Sequence, residues 1–206
     1  MSNKKSGERT LLWSVLMSSP GPLVVGLGLL TGKSSTQIAD FVRRSAELLA
    51  IIMSFVIYKL TTKHDMCDEE KKRKLERLSN IFVGAMMCVG GIFMIILAFM
   101  SDNSDKGNVI PGLAIAVMGV IANSIFWRKY THLNKVDPNA ILMVQARLYR
   151  AKTLVDGCVT IALLSVVIAP GTQISYWMDF VGSLIVACYL IWCGIKTVVE
   201  AMKAQV

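Results

Sequence analysis

The sequence is short of charge and lacks the motifs of soluble chemistry. Of its 206 residues, 22 are Lys or Arg and 14 are Asp or Glu, together 17%, where a soluble domain carries about 25%. With hydrophobic residues at 54%, that shortage excludes an ordinary water-soluble globule. No GxxxxGK[ST] stretch occurs, which argues against an ATP-driven pump, and neither a cofactor motif nor a nucleophile–base pattern is present, so an enzyme is not expected. The cysteines, Cys67, Cys88, Cys158, Cys188 and Cys193, form no CxxC pair, and four fall in apolar stretches. Neither a disulfide framework nor a structural zinc knuckle is implied. The first apolar stretch has a basic start, as a secretion signal has, but GLGLLTGKSS shows no small-x-small cleavage pattern, so the stretch reads as retained.

What the sequence does have is apolar blocks. Six stand out, at about 11–31, 38–58, 81–100, 109–127, 141–169 and 178–199. The fifth has a short apolar run, 154–169, and the amphipathic AILMVQARLYRAK before it extends the helix. Nearly uncharged blocks of this length read as membrane spans, and in hydrocarbon each satisfies its backbone only as a helix. The expected fold is an all-α membrane protein with six transmembrane helices, a single domain over 1–206 with no soluble C-terminal domain. GLG at 26–28 and GG at 90–91 suit close helix packing, and the methionines suit gap filling.

Basic residues fall mostly on one side. The N-terminal tail has Lys4, Lys5 and Arg9; the second loop holds Lys59, Lys63, Lys71, Lys72, Arg73, Lys74 and Arg77. The fourth loop has Arg128, Lys129, Lys135, Arg147 and Arg150, and the C-terminus Lys196 and Lys203, against only Lys33 and Lys106 on the other side. The positive-inside rule then puts both termini in the cytoplasm. The net charge of +8 faces the anionic leaflet of the lipid bilayer, so KKRK is no sign of nucleic acid.

The informative charges lie within the spans, where each costs on the order of 2.5–3.5 kcal/mol at mid-bilayer. In IADFVRRSAELLA, Asp40 and Arg44 are spaced i, i+4, as are Arg43 and Glu47; in RAKTLVDG, Lys152 and Asp156 repeat the spacing. Such pairs can meet on one helix surface. Spans two and five thus each place a basic residue four positions before an acidic one.

With this layout, several stretches resemble the cation diffusion facilitator family. SSTQIADFVRRSAELLA is similar to that family's second span, and RKLERLSNIFVGAMMCVGGIFMIILAFM to its loop and third span. GLAIAVMGVIANSIFWRK, with Asn123, resembles the fourth span, QARLYRAKTLVDGCVTIALL the fifth, and YWMDFVGSLIVACYLIWCGIKTVVEAM, with Asp179, the sixth. The resemblance implies a secondary transporter, a homodimer exchanging a divalent cation for protons across the membrane, with the cation held between spans two and five. Small size and short loops suggest a prokaryotic inner membrane.

At that site the chain departs from the family pattern. Its carboxylate positions hold Glu47 and Asp156, but the positions where the family uses His or Asp hold Arg43 and Lys152. Arginine has no lone pair to offer a metal, and lysine ligates only after losing its proton. Three readings stay open. The quartet forms interhelical salt bridges that replace the cation, in a non-transporting partner or structural subunit. Alternatively it still moves a cation or a proton, with Lys152 titrating and Glu47 and Asp156 exchanging. Or the register is shifted, and Asp40, Glu47 and Asp156 form an oxygen-rich site of the kind that suits Mn²⁺ or Mg²⁺. Arg44 and Asp40 are secondary candidates. HDMCDEE at 64–70 offers His64, Asp65, Cys67 and Asp68 as a second metal site, with His64 and Asp68 spaced i, i+4, or else opens a solvated helix. His132 reads as a surface residue and Asp179 as a helix cap. No resident cofactor is expected.

Overall fold

The computed structural model describes residues 2–31, 35–63, 69–100, 110–168 and 173–203, and among them every regular element is a helix. There are seven: α1 (Ser2–Ser18), α2 (Pro20–Thr31), α3 (Ser35–Lys63), α4 (Glu69–Met100), α5 (Ile110–Val136), α6 (Ala140–Ile168) and α7 (Gln173–Lys203). Three contain stretches long and apolar enough to cross a membrane, Phe41–Thr62, Glu69–Met100 and Phe180–Lys203.

The block read from sequence as one span over 11–31 is two helices. They break at Ser19, within SSPGP, and α2 starts at Pro20. Proline lacks the amide donor and its ring clashes with the carbonyl a turn earlier, so the helix cannot continue undisturbed through it. Ser19 still donates its N–H to the Val15 carbonyl at 3.0 Å, finishing α1. At 17 and 12 residues, neither piece alone reaches the roughly 20 needed to span a bilayer.

Other helices run past the apolar blocks. At 32 residues α4 is about 48 Å long, well beyond the ~30 Å hydrocarbon core. Its first turn carries Glu69 and Glu70, which favour the positive helix N-terminus, and Glu70 pairs with Lys74 at 2.6 Å. The turn between α5 and α6 is closed by Asn139, whose Oδ1 accepts the N–H groups of Ile141 (2.9 Å) and Leu142 (3.3 Å) as an N-cap does.

Contacts between helices fix their directions. Gly7 lies against the hydroxyl end of Tyr58 and Gly21 beside Arg44, so α1 and α2 run against α3. α4 packs along α7 over glycines. A Cβ on Gly84 would meet the Gly194 carbonyl oxygen at 2.8 Å, and one on Gly91 would meet the Ala187 carbonyl oxygen at 2.9 Å. The GG pair thus serves the close approach that small residues allow, while Gly26 sits against Phe41. α5 and α6 are antiparallel partners, and Arg147 on α6 bridges Glu200 on α7 at 2.6 Å. These pairings put Ser2, Lys203 and the α5–α6 turn at one end of the bundle.

That end is the better sealed. Leu11, Ile51, Tyr130, Ile141, Leu148 and Tyr149 are all fully buried there. Tyr130 and Tyr149 stack with Phe126, the Tyr149 ring centroid lying 5.1 Å from that of Phe126, and the Tyr130 hydroxyl meets Ser14 Oγ at 2.8 Å. Some buried polar groups are paired across helices, as when Gln145 Nε2 donates to Ser54 Oγ at 2.7 Å, while Gln145 Oε1 and Asn80 Oδ1 have no partner among the described residues. The four described cysteines, Cys88, Cys158, Cys188 and Cys193, are free thiols.

Candidate functional site

Toward the other end of the bundle, α1, α2, α3, α5 and α6 surround a cavity of about 470 Å³. On α6 its wall runs from Tyr149 to Leu163, about 21 Å of helix. Arg43, Arg44, Glu47, Lys152 and Asp156 all line it, although they come from two helices more than a hundred residues apart.

Glu47 is the hub of this group. It is 8% exposed, and each carboxylate oxygen faces one cation. Arg43 Nη1 is 3.2 Å from Oε1, one turn away on α3, and Lys152 Nζ is 3.3 Å from Oε2, reaching across from α6. The three side chains are 11–13% exposed. Two charge-assisted contacts to one buried carboxylate fit the rule that buried charge is tolerated when paired. The Lys152 ammonium also lies over the Tyr149 ring, 5.2 Å from its centroid, within cation–π range.

Asp156 is held differently. Asn123 Nδ2 on α5 donates to its Oδ2 at 2.6 Å. Gly119, one turn earlier on α5, makes the room: a Cβ there would lie 2.5 Å from the same Oδ2. Helical spacing of four puts Gly119 and Asn123 on one face, so α5 offers Asp156 a gap and a donor side by side. Among the described residues no Lys or Arg lies within ion-pair distance of Asp156, the i, i+4 neighbour Lys152 being turned to Glu47 instead.

The remaining sequence candidates divide. Arg44 lines the cavity beside Gly21. Asp40 lies on α3 and Asp179 on α7, with side chains outside the described set. His64, Asp65, Cys67 and Asp68 also lie outside the described residues. His132 is exposed on α5. Two residues that sequence reasoning did not place at the site are Gly119 and Tyr149. Asn123 figured only in the resemblance, yet an amide inside an apolar span is itself a signal, since polar groups there need partners.

Among the described residues the donor chemistry does not suit a transition metal. Zinc takes four ligands, at least three of them from protein, and among the described residues no three His, Cys, Asp or Glu side chains converge. Both oxygens of Glu47 face cations and one of Asp156 accepts from an amide.

The family model described as the cation efflux transmembrane domain covers residues 12–204. No curated protein sequence matches the chain.

Proposed function

The chain belongs to the cation efflux family, an integral membrane family of transporters rather than enzymes, and on that premise we propose that it is a proton-coupled secondary transporter of a cation. In this reading α1 and α2 together form the first of six spans, both termini are cytoplasmic, and the protein works as a homodimer in a prokaryotic plasma membrane. The sealed end is then the cytoplasmic one and the cavity extends outward, as one state of an alternating-access cycle.

The observation that carries the reading is the contact between Lys152 Nζ and Glu47 Oε2 at 3.3 Å, in the wall of a cavity that also presents Asp156. In the empty protein Lys152 acts as a tethered cation that neutralises Glu47. A cation entering the cavity is taken by Asp156 and competes with Lys152 for Glu47. Lys152 then gives up a proton, which keeps the buried charge constant and exchanges one positive charge for another. Arg43, always protonated, keeps Glu47 ionised and in place through the cycle.

The test is flux. Protein reconstituted in liposomes with a pH gradient should move at least one cation from a panel of inorganic and organic ions, with protons moving the opposite way. Glu47→Gln and Asp156→Asn should each abolish the movement. One observation favours a second reading: Glu47 already has a cation on each oxygen, which is how a structural replacement of the cargo site would look. Absence of flux for every ion tested, with wild-type and both variants alike, would decide for that non-transporting subunit.

A further inference from the structure

The cavity bears on what the cargo is. We propose that it takes a small monovalent organic ammonium ion rather than a metal ion, a proposal that rests on the transport reading above and sharpens it. Size is the first reason. A cavity of about 470 Å³ falls within the roughly 300–1,000 Å³ of sites for small organic molecules, and far exceeds the volume of a bare metal ion.

Ligand chemistry is the second. A metal must replace its hydration shell with several donors, and here one carboxylate, Asp156, has a neutral hydrogen-bond partner, while Glu47 is engaged by Arg43 and Lys152. One carboxylate balances one positive charge. An ammonium ion needs little more than that, together with apolar and aromatic surface for its carbon. Both are present: Phe126 and Tyr149 line the cavity at the sealed end, and Val155, Val159 and Leu163 line it along α6. The protein already shows such a group bound, since the Lys152 ammonium rests between the Glu47 carboxylate and the Tyr149 ring. Asp156 and Phe126, which lies one helical turn beyond Asn123, both line the cavity and offer a free ammonium ion a carboxylate and an aromatic ring.

The test uses full-length protein in liposomes and radiolabelled tetramethylammonium, which has no neutral form to leak through lipid. Protein-free liposomes give the background. Saturable uptake driven by an opposing proton gradient is expected, falling at least about tenfold in Asp156→Asn. Phe126→Leu keeps the apolar volume but removes the ring, and should weaken half-saturation about three- to tenfold. Thermal melting in detergent checks that each variant folds, and Phe126→Leu serves if Asp156→Asn does not. Asp156-dependent flux of Mg²⁺, Mn²⁺ or Zn²⁺ with no tetramethylammonium uptake would overturn the organic-cation assignment and leave the transport reading standing. No flux of any ion would overturn both.

Discussion

Gly119→Ala is the sharpest probe of the site, because stability and transport should respond to it differently. The added Cβ would lie 2.5 Å from Asp156 Oδ2 and 3.0 Å from its Cγ, roughly 1 Å short of ordinary contact. Asp156 has a short side chain, and the oxygen in the way is the one that accepts from Asn123 at 2.6 Å. Either the carboxylate rotates off Asn123, leaving a half-buried amide without its acceptor at a cost of about 1–3 kcal/mol, or α5 and α6 move apart at a similar cost. Alanine regains about 1 kcal/mol of helix propensity over glycine. The net expectation is a loss of roughly 0–2 kcal/mol, lowering the melting temperature by up to about 8 °C at 2–4 °C per kcal/mol for a chain of this size.

Transport should suffer far more. A group displaced by about 1 Å can cost on the order of a hundredfold in rate. Gly157→Ala is the control: it sits beside Asp156 in sequence, but a Cβ there meets nothing within 4 Å. That variant should gain about 1 kcal/mol of helix propensity and transport at the wild-type rate. Melting curves and liposome flux for the two variants, measured together, decide the matter. If Gly119→Ala melts above wild type, as Gly157→Ala should, and transports normally, then Gly119 is not what positions Asp156 and the reasoning fails.

Two further outcomes follow from the same geometry. Lys152→Met and Glu47→Gln should each destabilise the protein, Glu47→Gln more, since it takes the carboxylate from both Arg43 and Lys152 while Lys152→Met leaves Glu47 still paired with Arg43; loss of one partner of a buried pair costs about 3–5 kcal/mol. The double variant should cost less than the sum, with a coupling of about 1–3 kcal/mol in a melting-based double-mutant cycle, and simple additivity would show that the two groups do not interact. Gly194→Ala would place a Cβ 2.6 Å from the Gly84 carbonyl oxygen, a backbone atom that cannot rotate away. It should therefore destabilise by about 1–3 kcal/mol, read as a lower melting temperature, and an unchanged value would mean that α4 and α7 do not approach so closely.

How much of this was legible in the sequence depends on whether the physics is local. The charges of IADFVRRSAELLA and RAKTLVDG stand out because ionisable groups are expensive in an apolar run, so the two halves of the site can be found without coordinates. The Arg43–Glu47 contact is also local, since four residues bring two side chains together on one helix. The same rule misleads for Lys152. Spacing allows it to meet Asp156, yet it reaches across to Glu47, because the choice between partners is made by how helices pack. The Ser19–Pro20 break could have been read from SSPGP, where proline is an explicit stop signal, but the apolar run on either side conceals it.

Asp156 shows where the boundary lies. Its spacing from Lys152 names a partner it does not have, while its actual donor, Asn123, is 33 residues away on another helix. What frees Lys152 for Glu47 is that α5 satisfies Asp156 by itself, with Gly119 admitting the carboxylate and Asn123 binding it. A glycine and an amide four residues apart in an apolar helix are a readable pattern, a gap next to a donor, but the pattern does not say which acid will fill the gap. The functional asymmetry of the two carboxylates, one saturated by cations and one held by an amide, therefore arises from α5. If α5 rather than the charged helices sets that asymmetry, Asn123→Leu should redirect Lys152 toward Asp156 and loosen its hold on Glu47, with no charge in the site having been changed.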